Sequence, residues 1–325
     1  MHRYARVTGW GKYLPQNVVT NKDLEEKINS SDSWIQTRTG IKERRLVADD
    51  EAASDMAVKA ARNALAVSGL KPEQLDLVIV ATVTPEMIFP SCASLVQHAV
   101  GAKNAAAFDL NAACTGYVCA LSTASQFIGT GAYSRVLVVG SEVYSRILDW
   151  NDRTTCVLFG DGAGAVVLEA AKRPPGMLSF TMGSDGSRPE LLYLPGLCGR
   201  PEEMAHGNHY LSMNGSEIYK VAVRSMTKAS RQALVSAGIS IDDVKLFIPH
   251  QANKRIIDAV ARSLKIGSDK VFINVEKYGN TSAASIPIAL CEAVEQGRIN
   301  ANDYLVLAGF GAGLSWGAAV LQWGT

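Results

Sequence analysis

Neither sign of charge dominates this sequence: 32 lysines and arginines face 31 aspartates and glutamates, leaving +1 with histidine neutral. Without a basic field there is no electrostatic footprint for nucleic acid or for an anionic membrane. No apolar run reaches the roughly 18 residues that a spanning helix needs, so no membrane partner is expected. The opening stretch, MHRYARVTGWGKYLP, lacks the apolar core of a secretory signal, and the chain reads as cytoplasmic. Cysteine pairs are missing too. Cys92, Cys114, Cys119, Cys156, Cys198 and Cys291 include no C-x-x-C, and a chain of 325 residues needs no disulfide staples. His206 and His209, in AHGNH, sit in a loop-like stretch and are read as loop polarity, so no metal is expected.

What is present is a large interior. Hydrophobic residues make up 47% and charged residues 19%, a globular composition. One core stops growing at about 250–300 residues, so two packed halves are expected. Strand-like runs such as LDLVIVATVTP alternate with helical patterns such as SDMAVKAARNALAVSGL, which predicts an α/β fold.

The halves show in the sequence itself. NALAVSGLKPEQLDLVIVA, from 63, aligns without a gap on QALVSAGISIDDVKLFIPH, from 232, at an offset of 169. The same offset carries Asn111 onto Asn280, Ala120-Leu121 onto Ala289-Leu290, and Gly140 onto Gly309. Four matches in one register indicate an internal duplication, with units too long for a solenoid. The boundary falls near AAKRPPGM, dividing the chain into residues 1–172 and 173–325.

Three residues then fall at strand ends or in the turns after them, where α/β proteins place ligands. Cys114 follows the strand-like AAAFDL and opens a helical segment expected to run to about Gly129, with Gly131 in the exit turn. A thiol there feels the positive end of the helix dipole, which predicts a lowered pKa and more thiolate. His250 ends a strand in LFIPHQAN, and Asn280 is the counterpart of Asn111. Taken singly, each has a plain structural alternative: a small buried hydrophobe, a satisfied core histidine, and an N-cap asparagine. AGFGAGLSWGAAVL imitates a dinucleotide loop. It is followed by no helix and no acidic partner, so it reads as a tight hairpin whose N–H groups could serve an oxyanion, and a nicotinamide enzyme is disfavoured.

Taken together, SDSWIQTRTGIKERR, ATVTPEMIFPSCASLVQH, NAACTGY, DRTTCVLFGDGAGAVVL, IPHQANKRIID, YGNTSAASIPIAL and GFGAGLSWG resemble the β-ketoacyl-acyl-carrier-protein synthase III family over essentially the whole chain. That resemblance implies a thiolase-like, duplicated αβαβα five-layer fold and a homodimer. It implies condensation of an acyl-coenzyme A primer, expected to be acetyl-coenzyme A, with malonyl-acyl carrier protein. The product would be a 3-oxoacyl chain that starts fatty-acid synthesis, made without a metal or redox cofactor. It places the nucleophile at Cys114 and its partners at His250 and Asn280, with backbone N–H groups of Cys114 and Ala312 as the oxyanion site. Trp34, Arg38 and Arg153 would flank the coenzyme A entrance. Asn253 and Tyr219 would line the tunnel, and Phe89 would close the acyl pocket, from across a dimer or within the chain.

On the helix after His250, Ile256, Ile257, Ala259, Val260 and Leu264 are expected to face inward. Lys254 and Arg255 would then stand near the mouth as a dock for an acidic acyl carrier protein. Two alternatives remain: a starter ketosynthase or acyltransferase of a secondary pathway, and a non-catalytic acyl-thioester-binding protein. No motif assigns a role to the loop over 190–212.

Overall fold

Apolar β-branched runs give the molecule two buried sheets. The computed structural model describes residues 3–196 and 209–324. Its strands are β1 (Tyr4–Tyr13), a small antiparallel pair β2 (Asn17–Thr20) and β3 (Glu43–Leu46), then β4 (Leu77–Ala81), β5 (Ala106–Leu110), β6 (Arg135–Glu142) and β7 (Gly162–Ala171). They continue with β8 (Gly176–Ser184), the short pair β9 (Leu192–Tyr193) and β10 (Ser212–Met213), β11 (Val244–Pro249), β12 (Tyr304–Gly311) and β13 (Ser315–Gln322). The first sheet runs β1-β7-β6-β4-β5 and the second β11-β12-β13-β8. β4 pairs in parallel with both β5 and β6, and β11 with β12, as helical crossovers require.

Both faces of each sheet are covered. Helices Ala53–Ser68 and Cys92–Val100 pack outside the first sheet in one apolar cluster. Gly215–Ala237 and Lys254–Leu264 pack outside the second. Between the sheets lie Gly116–Thr130 and Ser285–Glu295, whose apolar side chains share one core with strands of both sheets. The result is the expected five-layer αβαβα order. No helix among the described residues is long and apolar enough to cross a membrane.

The register of 169 holds in three dimensions. Shifted by 169, helix 53–68 falls on the last sixteen residues of Gly215–Ala237, β4 on β11, Gly116–Thr130 on Ser285–Glu295, and β6 on β12. It breaks at β5, whose counterpart residues form the helical turn Val275–Tyr278, so the second sheet has four strands. The sequence match at Gly140 has a steric reason. A Cβ there would come within 2.4 Å of the Ala283 carbonyl, so glycine lets the second half's loop lie against β6. The central helix runs one residue past the expected Gly129, to Thr130. Gly131 then closes it in the left-handed conformation, φ 83°.

Candidate active site

After β5 the chain turns sharply. Ala113 takes φ 46° and opens the 3-10 turn Ala113–Thr115 that carries Cys114; the α-helix itself starts at Gly116. In the other half, Ser282 takes φ 50° at the same offset and opens the turn Ser282–Ala284. A left-handed non-glycine residue costs on the order of 1–2 kcal/mol, so both turns need external support. The β12–β13 hairpin supplies it for the first. The Thr115 hydroxyl donates to the Ser315 carbonyl at 3.1 Å, and the Ser315 hydroxyl donates to the Ala312 carbonyl at 2.9 Å. Gly311 closes the contact: a Cβ would sit 2.6 Å from the Cys114 nitrogen. The GFGAG run is therefore the clamp on the cysteine turn, in a hairpin as expected.

Glu142, at the end of β6, supports the second turn. Its carboxylate accepts from the Ser282 hydroxyl at 3.0 Å, the Thr84 hydroxyl at 2.8 Å and the Val83 N–H at 3.1 Å. Burial pushes its pKa up to about 7, with those donors pulling the other way. The native state therefore holds this proton more tightly than the unfolded chain does. The stability it contributes is complete below pH 4.5, the free-glutamate value, and is lost as pH rises through 7. Glu142→Gln removes that titration. The unfolding free energy of the variant minus that of the native protein is expected to rise by about 3 kcal/mol between pH 4.5 and 8, read from denaturant midpoints. A difference independent of pH would show that Glu142 titrates normally.

Cys114, His250 and Asn280 meet in one cavity of about 1280 Å³. Cys114 is 6% exposed. Burial pushes its thiol up to about 11, with the polar Ser282 and Tyr144 side chains pulling the other way. Burial thus works against the dipole expectation, favouring the neutral thiol over a desolvated thiolate. His250 is held neutral, its pKa pushed down to about 3 by burial. Asn280 is fixed by its backbone, which bonds Leu158 and Gly160, and by its side-chain oxygen, which accepts the Ser282 N–H at 2.8 Å. Its amide NH2 is left as the donating end.

The mouth carries Trp34 with two guanidinium groups near its ring, Arg38 at 5.9 Å and Arg153 at 5.4 Å from the centroid. All three line the cavity, as do Ala312, Asn253, Tyr219 and Arg255, the last 5.6 Å over the Tyr219 ring. Asn253 caps helix Lys254–Leu264 and donates to the Arg38 carbonyl at 3.2 Å, tying the two sides of the mouth together. The five apolar residues expected on the inner face of that helix are all buried.

Two residues fall elsewhere. Lys254 lies outside the cavity wall and pairs with Asp258 at 2.8 Å, so the i,i+4 neighbour takes up its charge. Phe89 is 84% exposed beside exposed Met87 and Ile88, and does not line the cavity of its own chain. From the loop over 190–212, Leu192 to Gly196 and Leu211 line the cavity; His206 and Cys198 lie outside the described residues. Sequence reasoning missed Glu142, Tyr144, Ser282 and Ser285. The available signals were an acid ending the apolar strand VLVVGSE and two serines close behind Asn280.

A family model described as 3-oxoacyl-[acyl-carrier-protein] synthase III matches residues 108–186, and its C-terminal companion matches 234–323. The β-ketoacyl-[acyl-carrier-protein] synthase III of Roseiflexus castenholzii is 50% identical over 99% of both chains; that of Oceanobacillus iheyensis is 52% identical over 98% of both. This chain belongs to the β-ketoacyl-acyl-carrier-protein synthase III family. Among solved structures of synthase III proteins, that from Aquifex aeolicus shares 48% identity at TM-score 0.93, over 98% of this chain and all of that one. The priming β-ketosynthase of the R1128 polyketide pathway shares 37% at TM-score 0.95, over 99% and 97%. Synthase III proteins are condensing enzymes of the acyltransferase type, with the thiolase fold found here.

Proposed function

We propose that the protein starts fatty-acid chains. It takes an acyl group from an acyl-coenzyme A primer, expected to be acetyl, and condenses it with malonyl-acyl carrier protein. The observation that carries this reading is the meeting of Cys114, His250 and Asn280, from two halves we divide at residues 172 and 173, in a cavity with a Trp34–arginine mouth. Two guanidinium groups suit the phosphates of coenzyme A, and the indole suits its adenine. The Cys114 sulfur attacks the thioester carbonyl, and the thiol proton leaves with coenzyme A, giving an acyl-enzyme. Malonyl-acyl carrier protein then enters. Carbon dioxide departs, the C–C electron pair becomes an enolate, and its oxygen is held by His250 and by the amide NH2 of Asn280. The enolate carbon attacks the acyl group, the backbone N–H groups of Cys114 and Ala312 hold the second oxyanion, and the Cys114 sulfur leaves as a thiolate that takes up a proton from solvent to restore the thiol. Each well-placed donor contributes about 3 kcal/mol to its transition state. The sequence of steps uses no metal and no redox cofactor.

Incubation with acetyl-coenzyme A should add one acetyl mass, and malonyl-acyl carrier protein should discharge it as acetoacetyl-acyl carrier protein. An acetyl mass that malonyl-acyl carrier protein cannot discharge would defeat the reading. The likeness to a polyketide priming ketosynthase favours one second reading, a starter enzyme of a secondary pathway. Competition among acetyl-, propionyl-, isobutyryl- and longer acyl-coenzyme A for Cys114 separates the two. The exposed Phe89 segment fits closure of the acyl pocket across a homodimer, and the reaction belongs in the cytoplasm.

Arg255, at the mouth with its charge unpaired by Asp258, is the proposed contact for the acidic carrier protein, with Lys254 reduced to a helper by its own ion pair. Arg255→Glu should raise the KM for malonyl-acyl carrier protein several-fold and spare acetylation. Salt should shrink the defect, since exposed charges are screened beyond about 8–10 Å. Unchanged carrier-protein kinetics at low salt would remove Arg255 from the docking surface.

A further inference from the structure

We infer that Ser285 sets the tautomer of His250, so that a neutral imidazole presents its Nε2–H to the reacting thioester. The inference rests on the condensation reading for its use, but on hydrogen-bond accounting for its content. His250 is 2% exposed, and its Nδ1 lies 2.7 Å from the Ser285 hydroxyl. That same hydroxyl oxygen accepts the Gln251 backbone N–H at 3.3 Å. Ser285 is itself 2% exposed, so its one proton is best satisfied by an acceptor inside the protein, as most buried hydroxyls are. Among the described residues the acceptor it meets is His250 Nδ1. The hydroxyl therefore donates, Nδ1 accepts, and the single proton of the neutral ring resides on Nε2.

The backbone that carries the ring is held in place. The His250 N–H donates to the Ala308 carbonyl at 2.7 Å. The buried Gln251 side chain donates to the Pro249 carbonyl at 2.8 Å and accepts the Asn274 N–H at 2.9 Å, bracing the segment on both sides. Ser285 is the first residue of its helix and lies five positions after Asn280. One loop thus delivers the amide donor directly and fixes the imidazole donor through a hydroxyl. The consequence is a division of tasks. An Nε2 that already carries a proton can stabilise an enolate oxygen, and it cannot take the proton of the Cys114 thiol. Ser285 is accordingly a positioning residue, acting through His250.

The test begins with nitrogen NMR of the histidine-labelled full chain, the His250 signals being those lost in His250→Gln. A protonated Nε2 and a bare Nδ1 at neutral pH are expected. Ser285→Ala should lower kcat for malonyl-acyl carrier protein decarboxylation on the order of tenfold to a hundredfold, as a loosened oxyanion donor would. KM and self-acylation should stay as they were, and Ser285→Thr, which keeps the hydroxyl, should recover most of the rate. A native spectrum with the proton on Nδ1 overturns the inference, as does Ser285→Ala decarboxylating at the native rate. If the native protein failed to decarboxylate at all, the condensation reading would fall, and the spectrum would still decide the tautomer.

Discussion

Cys114→Ala is expected to abolish covalent acylation, not merely slow it. A second nucleophile would have to reach the same cavity, and the described cysteines are placed against that. Cys92, Cys156 and Cys291 are buried, Cys119 lies a turn further along the central helix, and none of the four lines the cavity. Burial pushes the thiols of Cys119 and Cys156 up to about 11 and those of Cys92 and Cys291 higher still, without the cavity access that Cys114 has. Intact-mass analysis after mixing with acetyl-coenzyme A should show full loading of the native chain and none of the variant. Acetyl mass on Cys119 or Cys156 of the variant at the native rate would mean that the nucleophile has been misassigned. The substitution removes one small side chain from a turn held by Thr115, Ser315 and Gly311, so the variant should stay folded and still bind primer.

His250→Ala and Asn280→Ala should separate the two halves of the reaction. On the proposed mechanism both donors hold the oxygen that gains charge during decarboxylation, so each deletion is expected to cost on the order of 10²–10³ in condensation. Self-acylation draws on the thiol and backbone N–H groups and should change far less. Labelled acetyl transfer and malonyl decarboxylation, assayed apart, supply the comparison. Equal losses in both steps would show that the imidazole also takes the thiol proton, which would contradict the Nε2–H assignment at the same time.

The duplication, the layer order and the three central residues were legible because they rest on local patterns. Strand ends, small residues around Cys114 and a repeated register survive in one dimension. What escaped notice depends on contacts made far along the chain. The helix end behind Cys114 suggested a lowered thiol pKa, whereas the packing that buries the thiol, invisible in one dimension, pushes it the other way. Lys254 looked free until Asp258, one turn on, took its charge. Ser285 resembled any helix-starting serine, because its partner His250 is 35 residues away. Glu142 ended an apolar strand without local company; its donors come from residues 83, 84 and 282. At β5 the register finds no matching strand, because the second half spends those residues on the helical turn Val275–Tyr278 before Asn280.

The twin left-handed turns at Ala113 and Ser282 bear on how much cargo one molecule can hold. The architecture is doubled, yet the position matching Cys114 at the offset of 169 is Ala283, a methyl group with nothing to acylate. Each molecule is a one-slot device on the proposed chemistry. A loaded chain has no waiting place for a second primer, so titration with acyl-coenzyme A should saturate at one equivalent per chain. The pace of new chains would then depend on how quickly the carrier protein empties the slot.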